Sequence, residues 1–150
     1  MVDVTTSIII NRPVREVAAF AADPANAPQW YKNIRSVEWV TSPPVKVGSQ
    51  IRFQARFLGR SLVYTYQVAD VVEGERLVMR TAEGPFPMET TYTWTATDNA
   101  ATLMELRNRG EPAGFSKLVA PLMGSAMRRA NNGDLAALKR ILETQADWSQ

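Results

Sequence analysis

Tyr64, Tyr66, Thr90 and Tyr92 are the side chains whose types and spacing point most directly to chemistry in this sequence. Tyr64 and Tyr66 lie two apart, as do Thr90 and Tyr92, which in an extended chain puts both members of each pair on one face. Buried hydroxyls need partners, and a guest or a trapped water can supply them. The 150 residues include no His and no Cys. That double absence removes disulfides, thiolate nucleophiles, Ser-His and Cys-His pairs, the commonest general base and most transition-metal sites. Any catalysis must therefore use carboxylates, Tyr, Lys, Arg, hydroxyls or bound water.

The carboxylates offer little. Glu73, Glu75, Glu83 and Glu89 fall in turns or on a polar strand face, where solvation is the expected state. Asp70 shares the parity of Tyr66 and Val68 but sits at a strand end. Arg35 and Asn108 are the remaining polar groups placed near a possible cavity mouth. No paired-carboxylate or metal-ligand spacing emerges, so the catalytic residues stay unassigned, and neither a metal nor a cofactor is expected. The formal net charge of +2 does not argue for nucleic acid, and Arg128-Arg129 and Lys139-Arg140 read as the solvated side of a helix. Met1-Val2-Asp3-Val4 lacks the basic and apolar segments of a signal peptide, and Ile8-Ile9-Ile10 is too short to span a bilayer, so a cytoplasmic protein without a membrane span is expected. With 45% hydrophobic and 21% charged residues and no linker or repeat, residues 1–150 read as one domain able to bury a core.

The elements that must position these groups follow from periodicity. Asp3 to Ile10 is β-branched and reads as a strand, stopped at Asn11-Arg12-Pro13. Pro13 and Glu16 suit the first turn of a helix whose apolar face is Val14, Val17, Ala18 and Ala21. Asp23-Pro24 opens a second short helical segment that runs into Trp30-Tyr31, a pair read as a lid or rim at a cavity mouth, with Trp30 favoured as the anchor of the segment to the sheet. From Ile34 the period becomes two. Val37 and Trp39; Ile51, Phe53, Ala55 and Phe57; Leu62, Tyr64, Tyr66 and Val68; Leu77 and Met79; Met88, Thr90, Tyr92 and Trp94; and Thr102, Met104 and Leu106 alternate with polar neighbours. Leu58-Gly59-Arg60, Glu73-Gly74-Glu75 and Asp98-Asn99 supply tight turns, and Gly84-Pro85-Phe86-Pro87 a stiffer apolar one that reads equally as a gate or a hairpin. Hairpin-length connections imply an antiparallel meander with one polar and one apolar, aromatic face.

The last third supplies the cover. Phe115, Leu118, Val119, Leu122, Met123, Ala126, Met127 and Ala130 recur three and four apart, and Leu135, Leu138, Ile141 and Leu142 continue the rhythm. Pro112 to Asp147 thus reads as a helix of about thirty residues, roughly 45 Å long. Gly114, Pro121 and Gly124 weaken its first half and suggest a kink. By alternation the strands present Phe53, Phe57, Tyr64, Tyr66, Met79, Met88, Thr90, Tyr92, Trp94 and Met104 toward Phe115, Leu118, Leu122 and Met123, with Phe86 in the adjoining loop. The residue pattern alone favours a filled core there over a ligand cavity. Function is expected at the first half of the helix, Phe115 to Met127, and anchoring at the second.

These features together resemble the START-like (SRPBCC) superfamily, with its helix-grip (START/Bet v 1-like) fold, and especially its polyketide cyclase/dehydrase-like branch. The matching stretches are Pro13-Val14-Arg15-Glu16-Val17, Asp23-Pro24 through Trp30, and Val47-Gly48-Ser49. They continue with Val68 through Gly74-Glu75-Arg76-Leu77, Ala101-Thr102, and Leu138-Lys139-Arg140-Ile141-Leu142-Glu143, in an order that covers nearly the whole chain. The resemblance implies an α+β fold: a curved seven-stranded antiparallel sheet, two short helices, and one long C-terminal helix with an elongated cavity beneath it. It tips the central inward positions from core to cavity and implies a hydrophobic small-molecule ligand, lipid- or polyketide-like. A polyketide cyclase/dehydrase-like enzyme is the alternative, and a protein-interaction module a further one. Fold alone does not decide among them.

Overall fold

The β-branched N-terminal run forms β1 (Val2–Ile10), and its burial alternates because one face of an edge strand meets the core. A computed structural model describes residues 2–57, 59–84, 87–111 and 120–144, apart from the side chains of Phe57, Ala120 and Pro121. Pro13 caps α1 (Val14–Ala22) from outside, and Val17, Ala18, Phe20 and Ala21 form its buried face. Asp23 accepts from the Ala25 N–H and so starts a 3-10 turn, Pro24–Asn26, which leads directly into α2 (Ala27–Trp30). Six strands follow: β2 (Ile34–Trp39), β3 (Gln50–Phe57), β4 (Arg60–Val72), β5 (Arg76–Glu83), β6 (Met88–Ala96) and β7 (Thr102–Gly110). Gly74 adopts a φ of +76° in the β4–β5 turn, a conformation that glycine reaches without a Cβ penalty.

All seven strands join one curved antiparallel sheet in the order β1-β7-β6-β5-β4-β3-β2. The expected meander is therefore present, and β1 closes onto β7 from Val2↔Gly110 to Ile10↔Thr102. Because β1 and β2 occupy opposite edges, α1 and α2 carry the chain across the sheet between them. This is the expected α+β architecture with two short helices and a long last one.

The last helix, α3 (Ala120–Thr144), runs alongside β1 and covers the inner face of the sheet. Residues 112–119 and 145–147 of the expected helix lie outside the described residues. Met123, Met127, Asn131, Asp134, Leu135, Leu138 and Leu142 are buried, a stripe with steps of three and four in which Asp134 and Leu135 sit side by side. Leu135, Leu138 and Leu142 are at most 1% exposed, each contributing about 1.5–3 kcal/mol by burial. They join Ile10, Val17, Phe20, Trp30, Ile51, Leu77, Met104 and Leu106 in the main core. Met123 and Met127 instead form a smaller cluster with Val2 and Val4, and Met88 packs against both.

Polar contacts fix the helix to the edge strand. Arg128 donates to the Thr5 carbonyl at 3.2 Å and Lys139 to the Ile9 carbonyl at 2.7 Å, which occupies acceptors on an otherwise open edge. At the far end Arg12 Nε donates to the Leu142 carbonyl at 2.9 Å, placing a cation against the negative end of the helix. The Asn11 N–H donates to Glu143 Oε2 at 2.8 Å.

Candidate functional site

Between the sheet and the middle of α3 the core gives way to a cavity with about 130 Å³ of room for water-sized molecules. Its wall is built by strand parity. β3 contributes Phe53 and Ala55, β4 Leu62, Tyr64 and Tyr66, β5 Met79 and Thr81, β6 Met88, Thr90 and Tyr92, and β7 Asn108. Tyr31, Asn33 and Ile34 close one side beyond α2, and Met127, Ala130, Asn131 and Asp134 form the roof on α3. Arg56 lines it from an exposed position on β3.

The aromatic wall follows from strand pairing. Phe53 and Tyr64 are directly opposite in the β3–β4 ladder, so their rings stack at 5.5 Å between centroids. Tyr66 lies 5.8 Å from Phe53, edge on, and 5.0 Å from Tyr64. A second group surrounds α2: Trp30 is 4.1 Å from Tyr31 and 5.8 Å from Tyr92. Trp30 itself is 2% exposed and serves as the anchor, leaving Tyr31 to face the cavity.

Most of the hydroxyls are paired with one another. Thr90 Oγ1 donates to Asn108 Oδ1 at 2.6 Å, so the Tyr66 hydroxyl, 2.8 Å from Thr90 Oγ1, is left to donate to it. The Tyr31 and Tyr92 hydroxyls pair at 2.6 Å. Tyr64 has no hydrogen-bond partner among the described residues. Burial pushes the Tyr66 phenol up to about 12. It also raises Tyr31, Tyr64 and Tyr92 well above the usual phenol range; neighbouring phenols add to the effect at Tyr31 and Tyr64, whereas at Tyr92 the hydrogen bond with Tyr31 opposes it. These groups are therefore neutral hydrogen-bonding groups at physiological pH.

Asp134 is the one carboxyl in the cavity wall. It is 3% exposed, and its Oδ1 accepts from the Lys32 backbone N–H at 3.0 Å. Burial pushes its pKa up to about 6, against the opposing pull of the Lys32 amide and positive charge. One turn earlier, Asn131 is 4% exposed, and its Nδ2 is buried without a partner. The α3 stripe thus carries polar groups where it crosses the cavity and apolar groups on either side.

The structure brings seven of the expected site residues together around the cavity: Phe53, Tyr64, Tyr66, Met79, Met88, Thr90 and Tyr92. Two others are corrected. Met104 has the inward parity but is fully buried in the cluster of Val17, Phe20, Leu138 and Leu142, where side chains fill the space. Leu122 is 64% exposed, because Met123 and Met127 occupy the inward stripe and leave it on the adjoining outer face. The side chain of Phe57, and Phe86, Phe115 and Leu118 entirely, lie outside the described residues. Arg35 is exposed and away from the cavity wall, whereas Asn108 belongs to it.

Asn131 and Asp134 are site residues that the sequence reading misses, whereas Tyr31, read with Trp30 as a rim, lines the cavity. The helical spacing is the signal that could have found both: Met127, Asn131, Asp134 and Leu138 are four, three and four apart. The cavity also meets the middle of α3, so the expected division into a functional first half and an anchoring second half is shifted along the chain.

With a seven-stranded sheet gripping a long C-terminal helix, the molecule has the START-like helix-grip fold. Solved structures agree across nearly the full length. The protein TTHA0849 from Thermus thermophilus is 21% identical with a TM-score of 0.80, covering 96% of this chain and 99% of that one. The Zhui aromatase/cyclase from a Streptomyces species is 15% identical with a TM-score of 0.82, covering 98% and 96%. A START superfamily protein from Mycobacterium smegmatis is 17% identical with a TM-score of 0.80, covering 94% and 97%. The family model for polyketide cyclase / dehydrase and lipid transport proteins matches residues 1–143, and the chain belongs to that family. A comparison with curated protein sequences gives no match. Among the described residues, no helix is long and apolar enough to cross a membrane.

Proposed function

We propose that this protein binds a small apolar or aromatic molecule in the cavity between the sheet and α3. The observation that carries the reading is a wall of rings and thioethers beneath a buried polar atom that lacks a partner. Asn131 Nδ2 has none among the described residues, although buried polar groups are ordinarily satisfied, and the half-buried Tyr64 hydroxyl faces the same cavity. A cavity of roughly 150 Å³ accepts a benzene-sized guest, so about 130 Å³ here is on the scale of a single ring. Membership of a cyclase and lipid-transport family supports the same reading. The test is a thermal-shift and NMR titration with one- and two-ring aromatics and short-chain lipids. Saturable shifts at Tyr64, Met79 and Asn131 are expected, and no response across the panel would overturn it. Native mass spectrometry of the protein from its own host would then identify the guest.

Asp134 favours a second reading, a cyclase/dehydrase-like enzyme. A carboxyl with a pKa of about 6 can accept or return a proton near neutral pH, whereas phenols raised by burial make poor bases. On this reading turnover of a polyketide-like substrate rises with pH through about 6, and Asp134→Asn abolishes it. Full activity in Asp134→Asn would remove it.

A third expectation, an interaction module, calls for a contiguous exposed apolar patch. Among the described residues the exposed large apolar side chains are Ile9 on β1, Val40 and Val47 in the β2–β3 connection, Val63 on β4 and Leu122 on α3. This distribution supports the cavity rather than the outer surface as the site.

A further inference from the structure

Asp134 is a buried acid without a salt-bridge partner among the described residues. Among the described residues its one hydrogen bond comes from the Lys32 backbone N–H, and no basic side chain forms an ion pair with it, although the charge of the exposed Lys32 side chain bears on it without pairing. Buried carboxylates are ordinarily paired, because removing the charge from water carries a penalty that a neutral environment does not return. The surrounding groups do not supply that partner. From α2 and the residues after it come Tyr31 and the Lys32 backbone, with the Lys32 ammonium acting from an exposed position, from β6 Tyr92, from β4 Tyr64, and from α3 the neutral Asn131. Arg56, on β3, is exposed and does not pair with Asp134.

The walls around this acid have a matching preference. Phenol and indole faces carry partial negative charge and attract a cation placed over them, while they disfavour an anion. Tyr31 and Tyr92 lie 4.1 and 5.8 Å from Trp30 between ring centroids, and Phe53, Tyr64 and Tyr66 form a second ring cluster in the same wall. An aromatic-walled cavity with one unpaired buried carboxylate is complementary to an organic cation. Hydrogen bonding narrows this to a protonated amine, since a carboxylate accepts and an ammonium donates.

We propose that the guest is a compact aromatic amine, which turns its ammonium group toward Asp134 and leaves its ring against Phe53, Tyr64 and Tyr66. This rests on the binding reading above and names the ligand class for the same cavity. Above a pH of about 6 Asp134 holds a charge that its burial opposes, and the ammonium group removes that penalty on binding. Below that pH the acid is neutral and the amine loses its advantage.

The test compares 2-phenylethylamine, 2-phenylethanol and 3-phenylpropanoate by calorimetry and NMR titration at pH 8 and pH 5. The three probes share one ring and differ in the charge of the terminal group, and the amine stays cationic at both pH values. At pH 8 the amine is expected to bind about tenfold or more tightly than the alcohol, with the carboxylate weakest. At pH 5 the amine and the alcohol are expected to converge. Asp134→Asn should bring the amine to the affinity of the alcohol at pH 8. An alcohol or carboxylate that equals the amine at pH 8 overturns the proposal while leaving the binding cavity standing, and so does a preference that survives Asp134→Asn. Because the pH comparison uses the wild-type chain, it decides the matter even if the variant does not fold. Binding of none of the three, with no response to larger apolar guests, overturns the cavity reading and this proposal together.

Discussion

The hydroxyl oxygens of Tyr31 and Tyr92 meet at 2.6 Å, joining the residue after α2 to the centre of β6. Tyr92 is 4% exposed, so its hydroxyl has few alternatives if Tyr31 is lost. Tyr31→Phe and Tyr92→Phe are each expected to cost about 1–2 kcal/mol, the penalty of stranding a buried polar group. The double variant should cost less than the sum, with a coupling of about 0.5–1 kcal/mol. Urea denaturation of the four proteins measures this. Strict additivity would show that the pair contributes nothing as a pair.

Asp134 should make the fold less stable at neutral pH than at mildly acid pH. Its folded pKa of about 6 lies above the ordinary value of 3.8, so the folded state holds the proton more tightly than the unfolded chain. The resulting stabilisation is full below about 3.8 and is lost as pH rises through about 6. A pKa difference of that size corresponds to about 2–3 kcal/mol. Asp134→Asn removes this dependence while keeping an oxygen for the Lys32 N–H, and should raise stability at pH 8 by about 1–2 kcal/mol. The comparison between wild type and variant matters, because Asp3, Glu89 and Glu143 are held below their usual ranges. Their contributions act the other way, present at neutral pH and lost only as pH falls. Equal pH profiles for the two proteins would contradict the raised pKa.

The phase of α3 makes a sharper contrast between two adjacent residues. Leu122 is 64% exposed and Met123 fully buried against Val2, Val4 and Met127. Leu122→Ser is expected to change stability by no more than about 0.5 kcal/mol. Met123→Ala should cost about 2–5 kcal/mol, the range for emptying a packed site. Thermal denaturation distinguishes them. Similar losses in both would mean that the outer face of the helix is covered.

The strand half of the site is legible in the sequence because alternation is strict and the period leaves no choice of face. Phe53, Tyr64, Tyr66, Met79, Thr90 and Tyr92 share the inner face for the same reason that Arg52, Gln54 and Gln67 face water. Depth along a strand is another matter. Met104 has the right parity, but whether a cavity or a packed core lies above it depends on what α1 and α3 bring there, which is a tertiary fact. On α3 the discrepancy has one cause, the counting of apolar residues as inward and polar ones as outward. That count places Leu122 in the site and leaves out Asn131 and Asp134, although they continue the spacing of Met123 and Met127. A helix that crosses a cavity carries polar groups on its buried stripe, and residue type then misreports the face.

Three glycines separate a helix that tolerates stiffening from a strand end that does not. At Gly124 and Gly133 an added Cβ would meet nothing within 4 Å, and neither has a positive φ. Alanine at each should stabilise the helix by about 0.5–1 kcal/mol, by better propensity and a less free unfolded chain. In a chain of 150 residues that corresponds to about 2–4 °C in Tm per kcal/mol. Gly110 differs, because its missing Cβ makes room for the Pro87 carbonyl and the Met88 sulfur, where β6 begins beside the end of β7. Gly110→Ala must push that backbone away and displace Met88, which lines the cavity and packs against both apolar clusters. It should cost about 1–3 kcal/mol or more, as overpacking against backbone does. It should also weaken whatever binds the cavity, whereas Gly124→Ala and Gly133→Ala leave the wall unchanged. Differential scanning calorimetry with and without a bound aromatic guest reads both effects. A Gly110→Ala protein with wild-type stability and affinity would show that the approach of Pro87 and Met88 to this strand is not structurally required.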